Sequence, residues 1–505
     1  MMMQMDSVTR ADATFNFLQE RFTAHYEDIF LNDLAEKTVV VIPSLTLDPE
    51  ILRSIKGIVH YEERLLCLLM LLRMPRTRVI FVTSLPVDDS IIDYYLHLLP
   101  GITGYHARKR LTLLSCYDAS RISLTEKILK RPRLIQRIKE HIKFPELAHM
   151  VCFNETVAEK QLALKLDIPV YGCDPSLYYL GTKSGSRRIF KKLSLNMPPG
   201  IEDLNSETEI AAALAQLKSE NPNLRKAVIK LNDGFSGDGN AIYRYSDSWQ
   251  DVQDPVQKIQ STLSQQVQII AMGVSYPVFL EKFNNMGGIV EAFIDGDIKA
   301  SPSVQCRINP LGGCDVISTH DQLLGGEGGQ VFLGATFPAN AEYTREIAEM
   351  GKMVAEELQK YGVLGRFGID FISVKEAAGW KHYVIEINLR KGGTTHPFLM
   401  LQFLTGGEFN WKDGTFTMCN GQTRYYFASD NVMNEKYKGL SPHDLIDIAH
   451  CNRIQFDGAT QCGVMFHMIG ALSQYGKIGM VCIGKTLEEA HGYFEKTIKV
   501  LDANT

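Results

Sequence analysis

The sequence predicts a multidomain protein that joins an α/β unit to α+β units. Its length of 505 residues is enough for two to four domains. Over about the first 178 residues, apolar strand candidates alternate with helical patterns, an order typical of a parallel sheet covered by helices. After residue 178 the pattern changes to Gly-rich loops, hairpins and longer strands. We therefore expect a parallel α/β unit first and mixed units after it.

The first unit has four predicted strands, at 38–42, 78–82, 111–116 and 149–153. The first strand runs into VVVIPSLTLD, which lacks the GxGxxG phosphate loop, so a dinucleotide site is not expected there. A substrate could still bind at the strand ends. The apolar run 65–72 lies between Arg64 and Arg73 and is too short to span a bilayer, which predicts a buried helix.

The later units are predicted from hydrophobic periodicity. Helices are expected at 182–193, 208–219, 254–273 and 339–361, strands at 226–231, 276–283, 288–294 and 297–307, and a loop from 309 to about 332. The last part is predicted to contain a strand at 424–428, a helix at 442–451, two strands around 463–483 and a final helix that begins at Thr486, where Thr486 and Glu489 predict a capping box.

The composition excludes several partners. Hydrophobic content of 45% and charged content of 22% are ordinary for a globular protein, and the net charge of −5 gives no bulk attraction to nucleic acid or to an anionic membrane. The ten cysteines contain no CxxC pair, which favours reduced thiols in the cytoplasm over disulfides or a zinc site. The first residues, MMMQMDSVTRADATF, lack an apolar segment, so we expect no signal peptide.

The strongest functional signal is a predicted β-hairpin with a metal site. The runs 366–371 and 383–388 each alternate apolar and polar residues, with a turn over 375–379. Pairing them about that turn places Asp370 opposite Glu386, with Asn388 on the same face, so that three oxygen ligands converge. Such a set suits a hard cation such as Mg²⁺ that also binds water and phosphates.

The same pairing would place Gly368 opposite Asn388 and Arg366 opposite Arg390, with two guanidinium groups at the open end. The alternative is an ordinary amphipathic hairpin with an acidic solvent face. Two carboxylates this close repel each other unless a cation lies between them, so the pattern favours the metal site.

A second signal is a glycine-rich turn after a strand. Lys230 lies near the end of an apolar strand, and Gly234, Gly237 and Gly239 follow it in AVIKLNDGFSGDGNAIYRY. Backbone N–H groups in such a loop, next to a fixed cation, suit a triphosphate. The spacing is not that of a P-loop, and alone it indicates a plain turn. Its coincidence with the metal hairpin favours a nucleotide site.

The segment YPVFLEKF, residues 276–283, is predicted to be a strand that leads into a linker. Its backbone groups could bind an adenine edge, with Glu281 beside it. An ordinary core strand with one exposed acid fits the residues equally well.

These motifs occur in the order of an ATP-grasp enzyme. Lys183, the Lys230 strand with its loop, Glu281 and the D…ExN hairpin follow one another, and EINLRKGGTTHP behind an α/β domain resembles the pheganomycin-type peptide ligases. The resemblance implies a Rossmann-like pre-ATP-grasp domain over 1–178, an ATP-grasp domain over 179–404 and a small α+β C-terminal domain over 405–505.

The resemblance also implies ATP-dependent carboxylate–amine ligation through an acyl-phosphate, with release of ADP and phosphate. The substrates would be a small carboxylate and a small amine, either amino acids or peptides, and a homodimer is the default assembly for a soluble enzyme. A kinase on the same fold and a nonenzymatic ATP-binding module are the alternatives.

The resemblance also implies which residues would bind ATP, the metal ion and the substrate. Lys183 and Lys230 would contact phosphates, with Gly234, Ser236 and Gly237 in the loop; Glu281, Lys282 and Phe283 would line the adenine pocket; Glu291 or Asn284 would bind the ribose; Asp370, Glu386 and Asn388 would hold Mg²⁺ or Mn²⁺; Arg390 would neutralise the transferring phosphoryl group.

A glycine-rich segment, LLGGEGGQ, is expected to form a mobile lid that excludes water. Arg307 and His320 could meet the substrate carboxylate, although a structural role fits each equally well. His396 could serve the site or brace the turn that ends the metal strand, and we expect the first.

Overall fold

The structure is a computed structural model that describes residues 2–234, 239–246, 254–271, 273–325 and 331–505. Its front unit has a four-stranded parallel sheet in the order β3-β2-β1-β4. The strands are β1 (Thr38–Ile42), β2 (Arg78–Thr83), β3 (Leu111–Ser115) and β4 (Ala148–Cys152). All four predicted strands are therefore confirmed to within a residue at each end.

Helices cover both faces of this sheet. They are α1 (Met2–Ala24), α2 (Tyr26–Phe30), α3 (Pro49–Ser54), α4 (Asp89–His97), α5 (Gly104–Arg108), α6 (Leu124–Leu129), α7 (Pro132–His141) and α8 (Val157–Leu166), with 3-10 helices at Ile58–Arg73, Pro145–Leu147 and Pro175–Gly181. One apolar cluster packs on each face of the sheet, so alternate residues of each strand are buried on opposite sides.

The apolar run after Arg64 is the buried helix that the sequence predicts, in a 3-10 conformation. Leu65, Leu66 and Leu69 are almost completely buried within Ile58–Arg73. The same apolar cluster contains residues of the front sheet and of the last hundred residues of the chain. This helix therefore lies at the interface between the first and last parts of the protein.

The next part of the chain forms a five-stranded antiparallel sheet in the order β5-β9-β6-β7-β8. Its elements are α9 (Lys183–Lys192), β5 (Gly200–Leu204), α10 (Glu207–Glu220), β6 (Lys226–Leu231), β7 (Asn240–Arg244), α11 (Pro255–Gln266), β8 (Val267–Ile269), α12 (Tyr276–Met286) and β9 (Gly288–Ala292). The strand predicted at 226–231 is confirmed residue for residue.

A larger sheet follows, in the order β10-β14-β11-β12-β13-β18-β20-β19, with β15 also paired to β14. Its strands are β10 (Lys299–Ala300), β11 (Pro302–Ile308), β12 (Cys314–Gly325), β13 (Val331–Phe337), β14 (Gly365–Glu376), β15 (Gly379–Asn388), β18 (Tyr425–Met433), β19 (Gly463–His467) and β20 (Lys477–Gly484), and a separate ribbon is formed by β16 (Glu408–Asn410) and β17 (Thr415–Thr417). Helices α13 (Thr344–Gln359), α14 (Thr395–Thr405), α15 (Pro442–Cys451), α16 (Leu472–Tyr475) and α17 (Leu487–Ala503) complete this region.

The larger sheet runs across the boundary predicted at residue 405. Strand β13 pairs with β18, with Ala335 opposite Ala428. The last part of the chain thus extends the sheet that carries the metal hairpin. The two domain boundaries stay predictions, but the second and third units share one sheet.

Two elements predicted in the part of the chain that forms the five-stranded sheet are wrong. Residues 276–283 form α12 rather than a strand, because Pro277 occupies the first turn and Phe279 and Phe283, four residues apart, share one buried helix face. Residues 254–273 are also not one helix, since α11 ends at Gln266 and β8 follows.

The loop predicted over 309–332 is mostly strand. Strand β12 occupies Cys314–Gly325, and Val316, Ser318 and His320 are buried at a period of two. Polar residues on the buried face concealed this alternation in the sequence. At the end of the chain, Thr486 caps α17 as predicted, whereas the carboxylate of Glu489 accepts from the backbone N–H of Lys485.

No helix in the described ranges is both long and apolar enough to cross a membrane. All ten cysteines are free thiols in the structure.

Candidate active site

The metal hairpin has the predicted register. Asp370 pairs with Glu386 and Gly368 with Asn388 across β14 and β15. A bulge after Asp370 sets the next pair as Phe371 with Val384. This irregularity leaves the two carboxylates on the same face of the hairpin.

One predicted pair of this hairpin is wrong. The β14–β15 ladder ends at Gly368 and Asn388, and Arg366 lies opposite Arg307 of β11 instead of opposite Arg390. The chain leaves the strand after Asn388, where Arg390 donates to the side-chain oxygen of Asn388 at 3.1 Å. Arg390 therefore remains beside the carboxylate cluster, next to Asn388.

A hydrogen-bond network joins the three predicted metal ligands. The Asn388 amide nitrogen donates to Asp370 at 2.9 Å and to Glu386 at 3.1 Å. Gln322 of β12 donates to the other oxygen of Asp370 at 2.8 Å. Burial raises the pKa of Asp370, which is the expected effect of withdrawing a carboxylate from water.

Lys183, at the start of α9, forms an ion pair with Glu386. The backbone N–H of Lys183 donates to the carbonyl of Asn232, and the Asn232 side chain accepts from Ser184 N–H, so the strand end of β6 fixes the start of α9. Burial lowers the pKa of Lys183 to about 8, and repulsion from Lys230 adds to the lowering. An additional anion beside Lys183 and Lys230 would stabilise the charged form of both ammonium groups.

Lys230 is held by Glu291. Its ammonium lies 2.5 Å from one Glu291 oxygen, and Arg187 of α9 lies 3.3 Å from the other. Glu291 is 2% exposed. Because both of its carboxylate oxygens are engaged by cations, its arrangement supports a role in orienting Lys230 more directly than one in binding a ribose.

These groups meet in one cavity of about 350 Å³ between the five-stranded sheet and the larger sheet. Its wall includes Lys183, Lys230, Gly234, Asp370, Glu386, Asn388 and Arg390, together with Glu291. The structure thus brings together the predicted phosphate lysines, the metal hairpin and Arg390. Ser236 and Gly237 lie outside the described residues, as do the lid glycines Gly326, Gly328 and Gly329.

The linker between the two sheets was missed by sequence reasoning. Ala292 ends β9, and Phe293 and Ile294 follow it toward β10; all three line the cavity. The chain passes here directly from one sheet to the other. The available signal was the apolar strand 288–294, which is followed by a polar turn in the sequence.

The predicted adenine residues do not reach this cavity. Phe283 is completely buried in the apolar core of the five-stranded sheet. Lys282 forms an ion pair with Glu50 of the front unit at 2.7 Å. Glu281 and Asn284 are exposed on α12. Their placement follows from the helical conformation of 276–286, which turns these side chains to different faces.

Arg307 and His320 are also placed elsewhere. Arg307 forms an ion pair with Asp315 at 2.7 Å near the end of β11, beyond the cavity-lining residues Ser303 and Gln305 of that strand. His320 is fully buried against Phe337 and Tyr426, and burial lowers its pKa to about 3. Neither residue lines the cavity.

His396 lies behind the cavity wall. It is 3% exposed on α14, and its Nε2 lies 3.0 Å from Nε2 of His467. Burial lowers the pKa of His396, with a further contribution from His467. The turn 392–395 separates the imidazole from the carboxylates, so its placement favours the bracing role over direct contact with substrate.

The far end of the cavity contains residues with no sequence signal. Tyr61, Arg64 and Phe153 come from the front unit, and Asp430 comes from β18. Arg64 and Asp430 form a buried ion pair at 3.3 Å. All three parts of the chain therefore contribute to one cavity.

The donor set fits a hard divalent cation. Two carboxylates and an amide oxygen are the ligand types that Mg²⁺ prefers, and the Lys183 ammonium already lies on Glu386 as a positive partner. One amide nitrogen contacts both carboxylates, so they are close enough to share an ion. Within the described ranges no cluster of three or more His, Cys, Asp or Glu side chains has metal-ligand geometry.

Comparison with known families agrees with this arrangement. Residues 176–265 and 249–412 match the family described as IQCH-like ATP-grasp. Residues 444–497 match the family described as PGM1 C-terminal domain. The part of the chain that contains the hairpin and both lysines thus matches an ATP-grasp family.

Two relatives are similar over most of the chain. L-propargylglycine–L-glutamate ligase of Streptantibioticus cattleyicolor is 27% identical over 465 residues, which cover 90% of this chain and 92% of that protein. IQ motif-containing protein H of Danio rerio is 22% identical over 92% of this chain, which spans 48% of that longer protein. The chain thus resembles the pheganomycin-type ligases over nearly its whole length.

Solved structures support the fold. The biotin carboxylase domain of 2-oxoglutarate carboxylase from Hydrogenobacter thermophilus, solved with MgADP, ADP and bicarbonate, has a TM-score of 0.56 at 12% identity, covering 92% of this chain and 89% of that one. This likeness concerns the fold, and the chemistry must be argued from the residues of the cavity.

Proposed function

We propose that this protein is an ATP-dependent carboxylate–amine ligase that forms an amide bond through an acyl-phosphate. The observation that carries the proposal is the convergence, in one cavity, of the Asp370–Glu386–Asn388 cluster with Lys183 and Lys230. Phosphoryl transfer needs positioning and charge neutralisation more than covalent catalysis by the protein. These residues supply both.

The two sheets divide the work on ATP. Lys230 and Lys183 reach the cavity from the side of the five-stranded sheet, where they would bind phosphates, and the linker 292–294 offers backbone groups and an aromatic ring to the adenine. Glu291 and Arg187 fix the Lys230 side chain before ATP arrives. A pre-oriented cation loses little conformational entropy on binding.

Asp370, Glu386 and Asn388 would hold Mg²⁺, which would supply charge neutralisation for phosphoryl transfer. When ATP and the ion bind, Lys183 can exchange its contact with Glu386 for phosphate oxygens. Arg390, anchored on the Asn388 side chain, presents its guanidinium beside the same ligands. It would neutralise the acyl-phosphate that forms there. The use of Mn²⁺ stays a prediction.

The ligation itself uses two small substrates. A carboxylate oxygen attacks the γ-phosphorus and ADP leaves; the amine then attacks the carbonyl carbon, the C–N bond forms and phosphate departs with the carboxylate oxygen. The Streptantibioticus relative is named for joining two amino acids. We infer that amino acids or short peptides are the substrates here, in a cytoplasmic enzyme.

The test is ADP formation with Mg²⁺ against amino acids and short peptides, singly and in pairs, with mass spectrometry of the products. The proposal predicts ADP and phosphate only when a carboxylate and an amine are both present, and a product lighter than the two substrates together by one water. A phosphorylated product would identify a kinase instead. ATP binding without turnover across the whole panel would favour a nonenzymatic module.

A further inference from the structure

An ion pair lies in the wall of the cavity that contains the metal hairpin. Arg64 Nη1 lies 3.3 Å from Asp430 Oδ2, and both residues line this cavity. Arg64 belongs to the front unit and Asp430 to β18, 366 positions later in the chain. The pair therefore exists only in the folded protein.

Arg64 is buried with unused hydrogen-bonding capacity. It is 3% exposed, and its guanidinium carbon lies 4.5 Å from the ring centroid of Tyr61 and 4.6 Å from that of Phe153. Its Nε has no hydrogen-bond partner within the described residues. A guanidinium carries five N–H donors, and a buried donor without a partner is costly. An incoming anion would satisfy these donors.

The Arg64 side chain is fixed from its own helix. In a 3-10 helix, side chains three residues apart lie one above the other, so Tyr61 and Arg64 share a face of Ile58–Arg73. Lys477 of β20 donates to the Tyr61 hydroxyl at 2.8 Å, which holds the ring in place. The guanidinium is therefore oriented before any substrate enters.

We propose that Arg64 and Asp430 bind the amine-donating substrate as a free α-amino acid, with its carboxylate on Arg64 and its ammonium on Asp430. The proposal rests on the ligase function above. Opposite charges in contact match the adjacent charges of a zwitterion, whereas a dicarboxylate would be repelled by Asp430 and a simple amine by Arg64. The carboxylate of the acyl donor is consumed at the metal hairpin, so a carboxylate held on Arg64 belongs to the amine partner.

Binding by the full chain, saturated with Mg²⁺ and a non-hydrolysable ATP analogue, tests this subsite without turnover. The twenty protein L-amino acids are titrated by calorimetry, followed by the carboxamide and the des-amino analogue of the tightest binder. Wild type should bind each analogue about 10- to 100-fold more weakly than the parent, because each lacks one charged hydrogen-bonding group.

Two variants, Arg64→Gln and Asp430→Asn, should each remove one of these two binding preferences. Arg64→Gln should bind the parent and its carboxamide equally, and Asp430→Asn should lose the preference over the des-amino analogue while keeping the preference over the carboxamide. Glu63→Gln is the matched control, because Glu63 is buried on the same helix and accepts from the Gly470 N–H at 3.0 Å, yet does not line the cavity. It should keep both preferences, and the affinity for the ATP analogue reports the fold of each variant.

The subsite is overturned if none of the amino acids binds, or if both variants keep the wild-type preferences. If Arg64→Gln does not fold, Asp430→Asn decides the question. Amino-acid binding with these preferences but no ADP formation would refute the ligase function and leave the subsite standing. Ligation with unchanged preferences in the variants would refute the subsite and leave the ligase function standing.

Discussion

Asp370 and Glu386 lie directly opposite each other on β14 and β15, and the Asn388 amide donates to both carboxylates, at 2.9 and 3.1 Å. Two carboxylates in this position repel each other, and burial raises the pKa of Asp370. Lys183 partly offsets the charge through Glu386. A divalent ion held between the two carboxylates would complete the neutralisation.

Glu386→Gln should lower kcat by about 100-fold or more, since it replaces a charged metal ligand. The fold should be retained, because the side chain faces the cavity and not the core. Steady-state ADP production and thermal unfolding measure the two effects. Glu376→Gln, at the exposed turn of the same hairpin, is the control and should leave kcat unchanged. Full activity in Glu386→Gln would show that the metal assignment is wrong.

Lys230→Met should raise the KM for ATP by about 10- to 100-fold, the cost of one charge-assisted phosphate contact. Lys226→Met is the matched control on β6, because Lys226 lies at the surface 3.7 Å from Asp295 and outside the cavity. The comparison uses initial rates over a range of ATP concentrations. Equal changes in KM for the two variants would contradict the phosphate role of Lys230.

Variants of Phe293 and Phe283 distinguish two candidate positions for the adenine, the linker 292–294 and the segment 276–283 that the sequence predicts. Phe293→Ala should raise the KM for ATP about 5- to 10-fold through lost contact with the adenine. Phe283→Ala should destabilise the protein by about 3 to 5 kcal/mol, because the ring is fully buried, with the KM for ATP unchanged. Kinetics and urea unfolding of both variants check this, and the opposite assignment of effects would place the adenine at α12.

Glu62 predicts a pH dependence of stability in the front unit. Burial raises its pKa to about 7, against the effect of two hydrogen bonds from Ser84. Because the folded pKa lies above the unfolded value of 4.5, the folded state binds the extra proton. That stabilisation, about 3 kcal/mol, is complete below pH 4.5 and is lost as the pH rises through 7.

Glu62→Gln should therefore remove this loss. Its urea midpoint should match wild type at pH 4.5 and exceed it at pH 8, whereas Glu20→Gln, an exposed change in α1, should follow wild type at both values. A wild-type midpoint that rises between pH 4.5 and 8 while Glu62→Gln stays flat would contradict the raised pKa.

The hairpin and the front sheet could be predicted because the apolar residues of each follow one clear pattern along the sequence. Alternating residues predict the pairing of Asp370 with Glu386, and a one-residue slip of β15 would turn Glu386 into the core. Lys230 is indicated by the glycine-rich turn after its strand, whereas Lys183 follows only from the resemblance to ATP-grasp enzymes.

The linker and the substrate end could not be predicted for two physical reasons. Residues 276–283 form a short apolar run whose helix-start signals, Ser275 and Pro277, compete with β-forming residues. Arg64 and Asp430 meet only through tertiary packing, and neither lies in a recognisable motif. Local pattern specifies elements, whereas contacts between distant elements require the fold.

The most direct measurement follows an oxygen atom through the reaction. With the carboxylate substrate labelled with ¹⁸O, an acyl-phosphate route transfers one labelled oxygen to inorganic phosphate for each amide formed, and ³¹P NMR detects the shift. We expect one label per phosphate released. Unlabelled phosphate, whether or not an amide forms with it, would contradict ligation through an acyl-phosphate.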